Sequence, residues 1–170
     1  MVVGLNPGTP IDLSTDLPDF FEIIAEDTTQ ETEANNRETH VFDLSNYLGE
    51  ESVYLRFDDA FPEDGWGAAV HEVTVEFDGE IIAQFIPGTP EEEEFLYDRH
   101  RSQVSTGQGG HRFADHDNYF VYRFTPQEDT EELTVSVDMW NQYKVSASHV
   151  QPRSSEEKKA LRILTRLCCS

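Results

Sequence analysis

Hydrophobic and polar positions alternate in short runs along most of the chain. Val53, Leu55 and Phe57 alternate with Tyr54 and Arg56, and Val73, Val75 and Phe77 with Thr74 and Glu76. Leu133, Val135, Val137 and Met139 alternate in the same way with Thr134, Ser136 and Asp138. A period of two puts one row of each segment into a core and the other into water, the pattern of a half-buried strand. Residues 39–44, 80–86, 118–124 and 142–148 read as further strands. Residues 95–97 read as a short strand or a segment tucked under a loop, and 19–25 as a strand or a helical turn. Asp78-Gly79 is a hairpin turn signal between two of these runs. Some eight short strands at close spacing, with turn chemistry between them and no helix, predict an all-β fold. The expected architecture is an antiparallel β-sandwich or jelly roll.

The stretch 53–77 reads as strand, acidic turn, strand, and is expected to form a central hairpin. Its turn holds Asp58, Asp59, Glu63 and Asp64 together with Pro62, Gly65, Trp66 and Gly67, more chemistry than a turn requires. Residues 1–18 carry three prolines and two glycines and predict an extended lead-in. Residues 26–39 are a polar, acidic loop, and 99–110 a long Gly-rich one. The four acids Glu91 to Glu94 follow a proline and predict a solvated loop.

The end of the chain changes period. Ser154-Ser-Glu-Glu is a helix start. Ala160, Leu161, Ile163, Leu164 and Leu167 then share one helical face, while Lys158, Lys159, Arg162 and Arg166 line the other. Five apolar residues in two turns are too few for stability alone. Such a helix docks on the sandwich, pairs with another chain, or belongs to an appended segment of no native role. The expected organisation is an extended N-terminal segment with a partial sandwich strand (1–38), a sandwich core (39–150) and a basic amphipathic helical tail (151–170).

Charge sharpens that division. Residues 1–150 hold seven Arg or Lys against 32 Asp or Glu, and residues 151–170 hold five against two, within a total of −22. The acidic body disfavours nucleic acid and anionic membrane, since both would be repelled. It favours cations, neutral ligands or basic partners. A carboxylate-rich, Lys-poor surface suits either a protein of high-salt surroundings, where screening removes self-repulsion, or an acidic secreted domain. No apolar run is long enough to span a membrane, and the start of the chain lacks the pattern of a signal peptide. Cys168 and Cys169 are the only cysteines, so the body is expected to fold without disulfides.

Three kinds of chemistry fit the side chains. Calcium takes six to eight oxygen ligands, often from loops, and Asp58, Asp59, Glu63 and Asp64 lie within seven residues. They are the candidate metal ligands, unless they cap turns or pair with Arg56 and Arg112. The six histidines lack a closed tetrahedral spacing for zinc. A neutral, hydroxyl-rich ligand is held by aromatic faces and bidentate polar groups. Trp66, Tyr119, Trp140 and Tyr143, with Arg112 and Asp115, are the candidates for that role, although Trp66 and Trp140 also suit structural plugs. Catalysis finds no nucleophile-elbow context and no phosphate-binding glycine loop, so no enzyme activity is expected.

The segments Tyr54-Leu-Arg-Phe-Asp-Asp-Ala-Phe-Pro-Glu-Asp-Gly-Trp-Gly67 and Phe85-Ile-Pro-Gly-Thr-Pro-Glu-Glu92 resemble galactose-binding-like β-sandwich modules of secreted microbial glycoside hydrolases. Gly110-His-Arg-Phe-Ala-Asp115, Tyr119-Phe-Val-Tyr-Arg-Phe124 and Asn141-Gln-Tyr-Lys-Val-Ser-Ala-Ser148 carry the same resemblance, which covers residues 39–149. It implies two facing antiparallel sheets, often a structural calcium, and a non-catalytic, carbohydrate-binding role accessory to a glycan-active protein. Its partners would be a glycan or the catalytic domain of a larger polypeptide, outside the cell or at its surface. A structural or protein-interaction sandwich that binds no sugar is the alternative. The basic helical tail departs from the family pattern and is expected to mediate self- or partner association.

Overall fold

The alternating runs become eleven strands among the residues that the computed structural model describes, which are 17–30, 37–49 and 51–168. They are β1 (Glu22–Asp27), β2 (Glu38–Asp43), β3 (Val53–Asp59), β4 (Ala68–Phe77), β5 (Glu80–Phe85) and β6 (Leu96–Asp98). Then come β7 (Gln103–Ser105), β8 (His111–Ala114), β9 (Tyr119–Phe124), β10 (Leu133–Trp140) and β11 (Tyr143–Ser148). A one-turn helix α1 (Pro90–Glu93) follows β5, and a 14-residue helix α2 (Ser155–Cys168) follows β11. The first sheet runs β1-β11-β3-β9-β6 and the second β2-β10-β4-β8-β7, with β5 also pairing β4. Every strand pair is antiparallel. The protein is an all-β sandwich with a short C-terminal helix.

The inner rows meet between the sheets. Leu55 and Phe57 on β3, Phe120, Tyr122 and Phe124 on β9, and Val145 and Ala147 on β11 pack in one core with Leu133, Val135, Val137 and Met139 on β10 and Val70, Val73 and Val75 on β4. Phe57 stacks on Phe120 with ring centroids 4.9 Å apart and takes Tyr122 edge-on. Burying a side chain of this size stabilises by about 1.5–3 kcal/mol, so the two facing rows dominate the fold.

The expected central hairpin does not form. β3 lies in the first sheet and β4 in the second, so residues 60–67 cross between sheets instead of joining neighbours. Alternation reports which face a residue takes and is silent on the partner strand. The short Asp78-Gly79 turn does join paired strands, with both residues at positive φ (51° and 80°), as a tight hairpin turn of mirror-image type requires.

β3 also departs from the half-buried expectation. Tyr54 and Arg56, on its outer row, are as buried as its core residues. Phe21, Tyr54, Tyr119 and Val121 form a second apolar cluster, with Leu17 and Tyr97 packed against it. Arg56 reaches both oxygens of Asp58 (2.8 and 2.7 Å) and lies 3.8 Å over the Tyr119 ring. Asp98, buried at this face, accepts from the Ser155 amide (2.9 Å) and hydroxyl (2.6 Å). That contact holds the start of α2 to the sheet. The helix opens with a capping box: the Glu157 amide donates to Ser154 Oγ, and Glu157 Oε2 accepts the Ser154 amide, both at 3.2 Å.

The acidic run 91–94 is a helical turn, not a solvated loop. Pro90 at its first position has φ already set for a helix. Glu91, Glu93 and Glu94 do face water, but Glu92 is completely buried. Its oxygens accept Nε and Nη2 of Arg112 (2.7 and 2.8 Å), the Tyr122 hydroxyl (2.8 Å) and the Gly88 amide (2.8 Å). Burial pushes the Glu92 carboxyl up, and these donors pull it further down, to below its ordinary value. Burial likewise lowers Arg112, and Glu92 more than reverses this.

Because the folded carboxyl titrates below the unfolded one, the stabilisation from Glu92 is present above about pH 4.3 and is lost as pH falls through the folded value. Arg112→Ala leaves the carboxylate buried without its cation. We expect urea unfolding at neutral pH to show a loss of roughly 3–5 kcal/mol. Glu92→Gln should flatten the acid limb of the wild-type stability profile, and an unchanged limb would remove this pair as its source.

Candidate functional site

Three chain crossings meet at one edge of the sandwich: 60–67 between β3 and β4, 115–118 between β8 and β9, and 141–142 between β10 and β11. Asp59, at the end of β3, joins the first two. Its Oδ1 accepts the Phe61 amide (2.8 Å) and its Oδ2 the His116 amide (2.9 Å). Burial pushes this carboxyl up, and the two amides only partly offset that. Asp64 joins the first and third crossings, accepting the Trp66 amide on Oδ1 (3.0 Å) and Gln142 Nε2 on Oδ2 (2.6 Å). The Asn141 side chain donates to the Gly67 carbonyl (2.9 Å).

The backbone here is tightly determined. His116 and Asn141 sit at φ 53° and 70°, the left-handed region that only a few non-glycine residues tolerate. A Cβ on Gly67 would lie 1.7 Å from the Ala114 carbonyl oxygen, so only glycine lets the two loops touch. His116 Nδ1 lies 2.8 Å from the Pro62 carbonyl. That bond, together with the carboxylates of Asp115, Asp59 and Asp117, holds the imidazole above its ordinary value.

Trp66 stands on this pinned loop with 46% of its surface exposed, and Phe61 on the same loop with 44%. Asp115 is half-buried beside it and accepts Asn118 Nδ2 (2.8 Å). Gln142 Oε1 is a buried acceptor without a hydrogen-bond partner. Sequence reasoning left out Phe61 and Gln142. The signal for Phe61 was its place in the acidic loop, whereas nothing local marks Gln142.

The other candidate ligand residues lie elsewhere. Arg112 is the buried partner of Glu92. Tyr119 is 1% exposed, sandwiched between Arg56 and His100, with its hydroxyl near Asp98 and Lys158. Trp140 is buried and takes His111 edge-on (4.9 Å). Tyr143 belongs to the core, and its hydroxyl lies 3.4 Å from His40 Nε2. Of the six, Trp66 and Asp115 are the two that are not buried.

Three of the four acids of 58–64 are engaged by protein donors. Both oxygens of Asp58 face the Arg56 guanidinium, those of Asp59 and Asp64 face N–H donors, and Glu63 points to solvent. Calcium takes oxygens turned to a common point, and the contacts of Asp58, Asp59 and Asp64 run to separate donors. Among the described residues, no three of His, Cys, Asp and Glu are grouped to hold a metal ion. Nor is any described helix long and apolar enough to cross a membrane.

The chain matches no known family model, no curated protein and no solved structure.

Two measurements check this geometry. Chelator should leave the thermal midpoint unchanged, whereas a metal bound only to the folded protein would raise it. Asp59→Ala frees two amides in a buried setting and should cost about 1–3 kcal/mol in chemical denaturation, with Trp66→Ala close to neutral.

Proposed function

We propose that the protein is a non-catalytic, carbohydrate-binding-type β-sandwich module, accessory to a glycan-active protein and working outside the cell or at its surface. The edge that carries Trp66 would hold the ligand. One observation supports this reading above the rest: a half-exposed indole sits on a loop that Asp59, Asp64 and Gly67 pin to its neighbours. An apolar ring face presented to water from a fixed backbone suits stacking on the C–H face of a sugar, since less backbone entropy remains to be lost on binding. Phe61 widens the aromatic surface. The half-buried Asp115 carboxylate supplies hydrogen-bonding capacity for hydroxyls at the same edge. A neutral ligand also suits a body whose charge would repel anionic ones.

Asp59, Asp64 and Asp115 at this edge are engaged as acceptors from amides and side chains, an arrangement that serves positioning more than proton transfer.

A glycan array followed by fluorescence titration tests it. Trp66 is solvent-exposed and Trp140 is buried, so ligand at the edge should shift the red-edge emission of Trp66 alone. Trp66→Ala should abolish the binding while leaving the thermal midpoint in place. If the intact protein binds no glycan, the sandwich is a structural or interaction module and the proposal fails.

A further inference from the structure

The sandwich has an open side where its two outermost strands, β1 and β2, end the first and second sheets. Between them lies a groove of about 560 Å³ lined by Glu22, Ile24, Val41, Phe42, Asp43 and Tyr47 among others. Its apolar part comes from Ile24, Val41 and Phe42, and Val41 is 65% exposed. Carboxylates flank it: Glu22 accepts the Tyr47 hydroxyl (2.7 Å), and Asp43 turns the chain at Ser45.

α2 carries the opposite pattern. Its first turn is tied to the sandwich through Ser155 on Asp98 and Lys158 on the Tyr119 hydroxyl (3.1 Å). No residue of the helix is buried, and Ile163, Leu164 and Leu167 are 56–68% exposed on one side. Lys159 and Arg166 are exposed with them. At 1.5 Å per residue, 14 residues present a rod about 21 Å long. An exposed row of aliphatic side chains bounded by cations is a docking face, and its own sandwich does not cover it.

We propose that α2 of one copy of this chain docks in the β1–β2 groove of a second copy. Charge decides among the possible occupants. An anionic bilayer would attract the helix but repel residues 1–150, where 32 acids face seven bases. Two α2 helices laid together would bring like cationic rows side by side. The groove offers aliphatic side chains with carboxylates at their flanks, which complements Ile163 and Leu164 with Lys159 and Arg166 at theirs. Reciprocal exchange fills both grooves and closes as a two-fold dimer, whereas a one-way contact would propagate into a filament. It also covers β1 and β2, whose outer edges pair with no other strand among the described residues.

Sedimentation velocity of the full chain across the micromolar range tests this, with far-UV circular dichroism confirming that each variant is folded. The intact protein should be a dimer. Leu164→Glu on the helix and Val41→Lys in the groove both alter exposed positions, and each should weaken dimerisation by at least about tenfold. A monomeric wild type overturns the proposal, whether or not it binds vesicles of anionic lipid. So does a Val41→Lys protein that dimerises as tightly as wild type while Leu164→Glu does not, because the helices would then be pairing with each other.

Discussion

The two layers of the sandwich are tied by a buried ion pair, Glu92 with Arg112. Glu92 comes from the one-turn helix after β5, Arg112 from β8 in the second sheet, and Tyr122 from β9 in the first. One carboxylate therefore ties both layers and the connection over them. A buried ion survives only if its lone pairs are met, and here the guanidinium fork, a hydroxyl and an amide meet them. Losing one member strands the others in a low-dielectric core, so the network fixes α1 against β8 and β9.

The same physics governs acids at the ends of β3 and β6 and in the crossing that follows β3. Asp58, Asp59, Asp64 and Asp98 each sit where a guanidinium, an amide or a hydroxyl points at them. They organise the backbone, and much of the chemistry that crowds residues 58–64 is used to hold that crossing in place. What remains for a ligand is what the carboxylates hold up: an indole and a phenyl ring facing water on a loop with little freedom. Arg112, Tyr119, Trp140 and Tyr143 have suitable chemistry for a sugar, but they meet internal partners instead.

The two ends of the chain complete the first sheet. Its outer row carries Tyr54, Arg56 and Tyr119, too large and too polar to be left half-covered. Phe21 from the lead-in and Pro152, Ser155 and Lys158 from the tail cover that row. No residue of α2 is buried, and Ile163, Leu164 and Leu167 lie more than half exposed along it.

Much of this was legible in the alternation of side chains. The period of two in 53–57, 73–77 and 133–139 named the inward rows, Asp78-Gly79 named a true hairpin, and Ser154 with Glu157 named the start of a helix. Pairing was not legible, because a strand's pattern is the same whichever neighbour it takes, and so residues 60–67 read as a hairpin turn when they are a crossover. Nor was the burial of Glu92 legible within its acidic run, since its partner lies 20 residues away on another sheet. By itself the sequence determined an all-β sandwich, its core rows and its acidic body, because those depend on local periodicity and composition. Only the tertiary structure decided which acids are structural and which aromatic ring faces water. Those outcomes depend on which donors and side chains distant strands bring within reach.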